Sequence, residues 1–127
     1  MQRFVFVVVA LAACGQATDD RPASLEYITE AILVPYCANA QCHSAFKHAG
    51  VPNSEGYAFD TVENARIACT TGGLVAVGDP DGSFLIDVLT RPGANKAARM
   101  PYDAPLPDVD LALIKTWIRQ GADGLMP

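Results

Sequence analysis

Cys42 is followed directly by His43, and Cys37 lies upstream with Ala38, Asn39, Ala40 and Gln41 between the two thiols. Thiols beside an imidazole offer three kinds of chemistry. The cysteines can close a small disulfide loop. Together with the imidazole they can hold copper or another soft-ligand ion. A thiol can also add to a porphyrin vinyl group, and a histidine next to it then lies beneath the iron as proximal ligand. The common spacing for that last use is C-x-x-C-H, whereas four residues intervene here. The seven residues by themselves leave all three open.

The elements that must position them read as helical. Ser24 caps a helix from Leu25, with Glu26 in its first turn. Leu25, Ile28 and Ile32 give it one apolar face, and Pro35 is expected to end or bend it just before Cys37. Cys42 to Gly56 has little periodicity and reads as loop. Asp60 and Glu63 have capping-box spacing for a short helix from Thr61 to about Cys69, stopped by Thr70 to Gly73. Leu74 to Val77 is too short a run to make a sheet. Asp79-Pro80 predicts the opening of a third helix with Phe84, Leu85, Val88 and Leu89 on its apolar side, closed by Arg91-Pro92-Gly93. Arg99 to Pro107 carries three prolines and must be a braced loop. A last helix follows from Asp108 to about Gln120, with Leu111, Ile114, Trp117 and Ile118 as its stripe and Gly121 as its C-cap. The fold class is all-α, about four short helices with long connections and no internal repeat. Such elements make a thin core, which a bound apolar group would complete.

The chain has 127 residues, enough for one core, and a formal net charge of −5. With no basic stripe and no cluster of Lys and Arg among aromatics, nucleic acid is excluded as a partner. Phe4 to Ala13 form an apolar run behind Arg3, too short to span a bilayer and shaped like a secretory signal peptide over residues 1–13. Leu11-Ala12-Ala13-Cys14 resembles a bacterial lipobox, so Cys14 is expected to carry lipid and become the mature N-terminus. An ordinary signal peptide with an incidental cysteine is the alternative. Residues 14–23 then form a polar tether and residues 24–127 the folded domain, held at the cell envelope, facing the periplasm, on the outer membrane rather than the inner. Apart from Cys14, that leaves Cys37, Cys42 and Cys69. An odd count does not close a disulfide framework.

Taken in order, Ile32-Leu33-Val34-Pro35, C-A-N-A-Q-C-H, Val77-Gly78-Asp79-Pro80 with Ser83 and Leu85, Met100-Pro101, and Trp117-Ile118 leading to Gly121-Ala122 resemble the small exported cytochrome c domains of myxobacteria and planctomycetes. The resemblance runs from about Leu25 to Ala122. It implies a cytochrome c-like fold around one covalent haem c, with Cys37 and Cys42 as thioether cysteines, His43 as proximal ligand and Met100 as distal ligand. A thioether on iron raises the reduction potential and fills the sixth position, which suits electron transfer rather than catalysis. The implied function is a one-electron carrier that is not an enzyme, with redox proteins as partners and the membrane reached through the lipid.

Around that set, His48 follows His43 too closely to wrap to the opposite haem face and reads as a loop histidine. Met126 is next to the C-terminus, and Met1 leaves with the signal. Cys69 is either a buried thiol or bonded to Cys37, in which case haem is held at Cys42 alone; two thioethers are the expectation. Trp117 reads as core, Arg99 as a propionate partner or a solvated loop residue. A carbonyl of Val51-Pro52 is the expected acceptor for the Nδ1 proton of His43. The alternatives to haem are a copper or soft-metal module and a disulfide-bonded structural lipoprotein domain.

Overall fold

A computed structural model describes residues 18–48, 56–92 and 99–126, with Lys47 and His48 described by backbone only. The signal, Cys14, Val51, Pro52 and the side chain of His48 lie outside the described residues.

The described residues are helical and contain no strand. The first helical run consists of α1 (Leu25–Ile28), a π-helical stretch (Thr29–Leu33) and α2 (Val34–Cys37). Ser24 caps it, its Oγ accepting the Tyr27 N–H at 3.3 Å. Pro35 does not end the run at all. A proline ring clashes with the carbonyl four residues back, and here the helix is widened just ahead of it, the Val34 N–H donating to the Thr29 carbonyl five residues back. The chain therefore stays helical as far as Cys37.

A single turn, α3 (Ala45–His48), interrupts what the sequence predicts as loop. The helix α4 (Val62–Thr70) starts one residue later than the capping-box reading implies. Its cap is Thr61, whose Oγ1 accepts the Asn64 N–H at 3.1 Å, while Asp60 turns back to Ala45, its Oδ2 accepting that N–H at 3.0 Å. The helix α5 (Phe84–Thr90) also starts late. Asp79 to Gly82 form a turn closed by the Asp79 carboxylate, which accepts the Gly82 N–H, and Ser83 opens the helix. Phe84, expected on the apolar side, is instead exposed with the Arg91 guanidinium 5.3 Å from its ring, and Ile86 is buried in its place.

The helix α6 (Asp108–Arg119) matches the expected last helix. It ends in a Schellman arrangement: the Gly121 N–H donates to the Ile118 carbonyl and the Ala122 N–H to that of Trp117. Gly121 at φ 105° supplies the left-handed residue such a cap needs.

The core is thicker than the helices alone provide. Leu25, Ile28, Ile32 and Leu33 meet Ala65, Ala68 and Cys69 of α4, Leu85, Ile86 and Leu89 of α5, and Leu113, Ile114, Trp117 and Ile118 of α6 in one buried cluster. Loop residues Phe59, Leu74, Leu106 and Leu125 enlarge it. Irregular chain thus buries apolar area that an estimate from helical stripes omits. Trp117 is fully buried, as its spacing predicts, and its Nε1–H donates to the Asp123 carbonyl at 3.0 Å. The same carbonyl accepts the Leu25 N–H at 3.0 Å, tying the end of the chain to the start of α1.

Packing begins ahead of Ser24. Arg21 forms ion pairs with Asp19 and with the buried Asp110 in the first turn of α6, and donates to the Val109 carbonyl at 3.0 Å.

Candidate functional site

Cys37 ends α2, and from there the backbone makes one closed loop to His43. The Cys42 N–H donates to the Asn39 carbonyl at 2.9 Å, the Asn39 side chain accepts the Gln41 N–H at 3.0 Å, and the His43 N–H returns to the Cys37 carbonyl at 2.9 Å. Both ends of the seven-residue segment are therefore pinned together at the tip of the first helical run.

The segment just before α4 lies alongside this loop. The Phe59 N–H donates to the His43 carbonyl at 2.8 Å. The Phe59 and His43 rings meet edge to face, 5.5 Å between centroids. His43 Nδ1 is 3.1 Å from the Tyr57 carbonyl oxygen. A carbonyl only accepts, so the imidazole carries a proton on Nδ1, and the neutral form of the ring then has its lone pair on Nε2. This is the tautomer of a histidine that ligates a metal through Nε2, with the second nitrogen oriented by a backbone carbonyl.

A carbonyl does hold His43, but it belongs to Tyr57 and not to the expected Val51-Pro52. Tyr57 is itself fixed from behind, its hydroxyl donating to the Gly72 carbonyl at 3.1 Å. Gly72 leaves room for that ring: a Cβ there would lie 2.5 Å from Tyr57 Cε1. Tyr57, Phe59 and Gly72 are the positioning residues that sequence reasoning missed. The Tyr-x-Phe pattern before a helix cap was their one visible signal.

The two thiols of the segment differ sharply. Cys42 is exposed, whereas Cys37 is 8% exposed and belongs to the apolar cluster. Burial, with a smaller contribution from Cys42, pushes the Cys37 thiol up to about 12. Cys69 is fully buried in α4, and burial pushes its thiol up to about 12 as well. Cys37, Cys42 and Cys69 are all free thiols.

Met100 is half-buried against the core, and its N–H donates to the Val88 carbonyl at 2.9 Å, which holds the loop on α5. Its peptide bond to Pro101 is cis. Beside it, Arg99 has a buried Nε with no hydrogen-bond partner among the described residues. A buried guanidinium nitrogen without an acceptor is costly and suits an anionic group brought by a ligand.

Large apolar side chains stand in solvent next to these positions. Tyr36 precedes Cys37 and is 39% exposed; Phe46 follows His43 by three residues and is 82% exposed; Tyr102 follows Met100-Pro101 and is 76% exposed. No group of three or more His, Cys, Asp or Glu side chains suited to a metal ion occurs among the described residues. No described helix is long and apolar enough to cross a membrane. No protein-family model, curated protein or solved structure matches the chain.

Proposed function

We propose that this chain is a mono-haem c-type cytochrome with a cytochrome c-like fold, carrying single electrons at the bacterial cell envelope, where a lipid on Cys14 anchors it. One observation carries the reading: the imidazole next to the exposed Cys42 thiol is turned by the Tyr57 carbonyl into the tautomer that ligates iron through Nε2. The donor set fits a haem in three further respects. Met100 offers a soft thioether on a loop held to α5. Arg99 has a buried nitrogen without an acceptor among the described residues, which a propionate would supply. Tyr36, Phe46 and Tyr102 expose apolar surface of the kind a porphyrin covers.

When bound, the haem iron supplies a site that takes up and releases one electron. The residues do the rest. Cys42 would make the covalent attachment, and His43 and Met100 would supply the imidazole and thioether that hold the iron, a donor pair suited to one-electron transfer. The role is therefore electron transfer between protein partners and not catalysis.

The test is expression of the full chain with haem-maturation machinery. The expected protein retains its haem after acid denaturation, and Met100→Ala loses the absorbance of a Met-ligated iron. A protein carrying copper and no porphyrin, or three unmodified cysteines and no haem mass, overturns the proposal.

A further inference from the structure

We propose that the haem is held by a single thioether, at Cys42, and that Cys37 stays a thiol of the core. The inference rests on the haem reading above and departs from the two attachments that the cytochrome resemblance implies.

Three observations carry it. The Cys37 side chain is 8% exposed and packs in the same apolar cluster as Leu33 and Cys69, whereas Cys42 is exposed. The backbone of Cys37 is committed twice: it closes α2, and its carbonyl accepts the His43 N–H at 2.9 Å. With the backbone held by these bonds, the side chain could reach a porphyrin only by leaving the apolar cluster. Finally, four residues separate the cysteines. Two sulfurs bonded to one rigid macrocycle must keep a fixed separation in space, which the longer loop would have to be shaped to meet, while a lone attachment puts no such demand on it. The adjacency of Cys42 and His43 is the only spacing that a single thioether needs.

The bond-forming step balances without a co-reactant. The Cys42 sulfur adds to the vinyl carbon attached to the porphyrin ring, its S–H bond breaks, and the hydrogen ends on the outer vinyl carbon. A new C–S bond replaces the vinyl π bond, and no external electrons are consumed. The second vinyl group stays intact.

The full chain, expressed with haem-maturation machinery, is denatured, reduced, alkylated with iodoacetamide and digested, and the peptide spanning Cys37 to His43 is read by mass spectrometry. The expected peptide carries haem on Cys42 and the alkyl label on Cys37. The pyridine haemochrome band is expected at longer wavelength than that of a doubly attached haem, because one vinyl group stays conjugated with the ring. Covalent haem is retained in Cys37→Ala and lost in Cys42→Ala. Haem bonded to both cysteines, or to Cys37 alone, overturns the inference and leaves the cytochrome reading standing. A peptide with no haem and two labels overturns both.

Discussion

The two ends of the molecule are finished in different ways. Where α1 begins and α6 ends, the protein completes itself: Trp117 is fully buried with its indole N–H satisfied, and the Asp123 carbonyl joins it to Leu25. Arg66 adds a bond to the Gly124 carbonyl at 3.0 Å. At the Cys37 to His43 end the backbone is equally well bonded, yet Tyr36 and Phe46 stand in water. Around Met100, Tyr102 is exposed and the Arg99 Nε has no acceptor among the described residues. The first end is a folding core. The second has a well-bonded backbone and exposed aromatic rings, and the Met100 loop, held to α5, exposes one as well.

Breaking the first end should have the largest effect. Trp117→Ala removes a fully buried indole and its hydrogen bond, and we expect it to cost about 3–5 kcal/mol in urea unfolding of the haem-free protein. A loss under 1 kcal/mol would mean that this end is not the core.

Gly72→Ala reaches the second end through one ring. The added Cβ would clash with the Ala68 carbonyl and meet Tyr57 Cε1 at 2.5 Å, so both the ring and the last turn of α4 must shift. Overpacking of this kind costs about 1–3 kcal/mol, measurable by the same unfolding curve. Because the Tyr57 carbonyl orients His43, the haem-loaded variant should also show an altered axial-ligand spectrum. An unchanged spectrum would separate the ring from the ligand.

Cys69 sharpens the contrast by pH. Its thiol is ordinarily near 9.0 and is pushed by burial to about 12 in the fold. The unfolded chain therefore releases this proton first, so the stability contributed by the neutral thiol is complete below pH 9 and falls as pH rises toward 12. The slope is about 1.4 kcal/mol per pH unit for one proton. Cys69→Ala should reduce the alkaline loss seen in unfolding curves across that window. An unchanged slope would place the titration elsewhere.

The sequence carried most of the first end and the chemistry, though not the arrangement, of the second. Ser24, the Ile114, Trp117 and Ile118 stripe and Gly121 act through contacts three to five residues apart, and the folded positions follow the pattern, except that Leu113 is buried where Leu111 was expected and Leu111 is only partly so. Pro35 misled because its remedy, a π-helical stretch, lies upstream of the residue that needs it. Asp60 and Asp79 were read as caps from spacing alone, but each spends its carboxylate on a neighbouring turn, and Thr61 and Ser83 open the helices. At the site, Cys42 and His43 were legible as adjacent reactive groups. The Tyr57 carbonyl was not, since it comes from fourteen residues away and any residue type can offer one.

Phe46→Ser gives the smallest expected effect and the most direct test of the comparison. The ring is 82% exposed in the one-turn helix after His43, so the haem-free protein has little packing to lose. Its unfolding free energy should stay within about 0.5 kcal/mol of the parent, as for most surface substitutions. The haem-loaded protein should respond differently, because a porphyrin that covers the ring would lose apolar contact worth about 25 cal/mol for each Å² it buries. The measurement is the pair of melting temperatures with and without haem: the variant should narrow the gap by lowering the loaded value alone. A fall in both would make Phe46 an ordinary packing residue, and a fall in neither would put the porphyrin on another face.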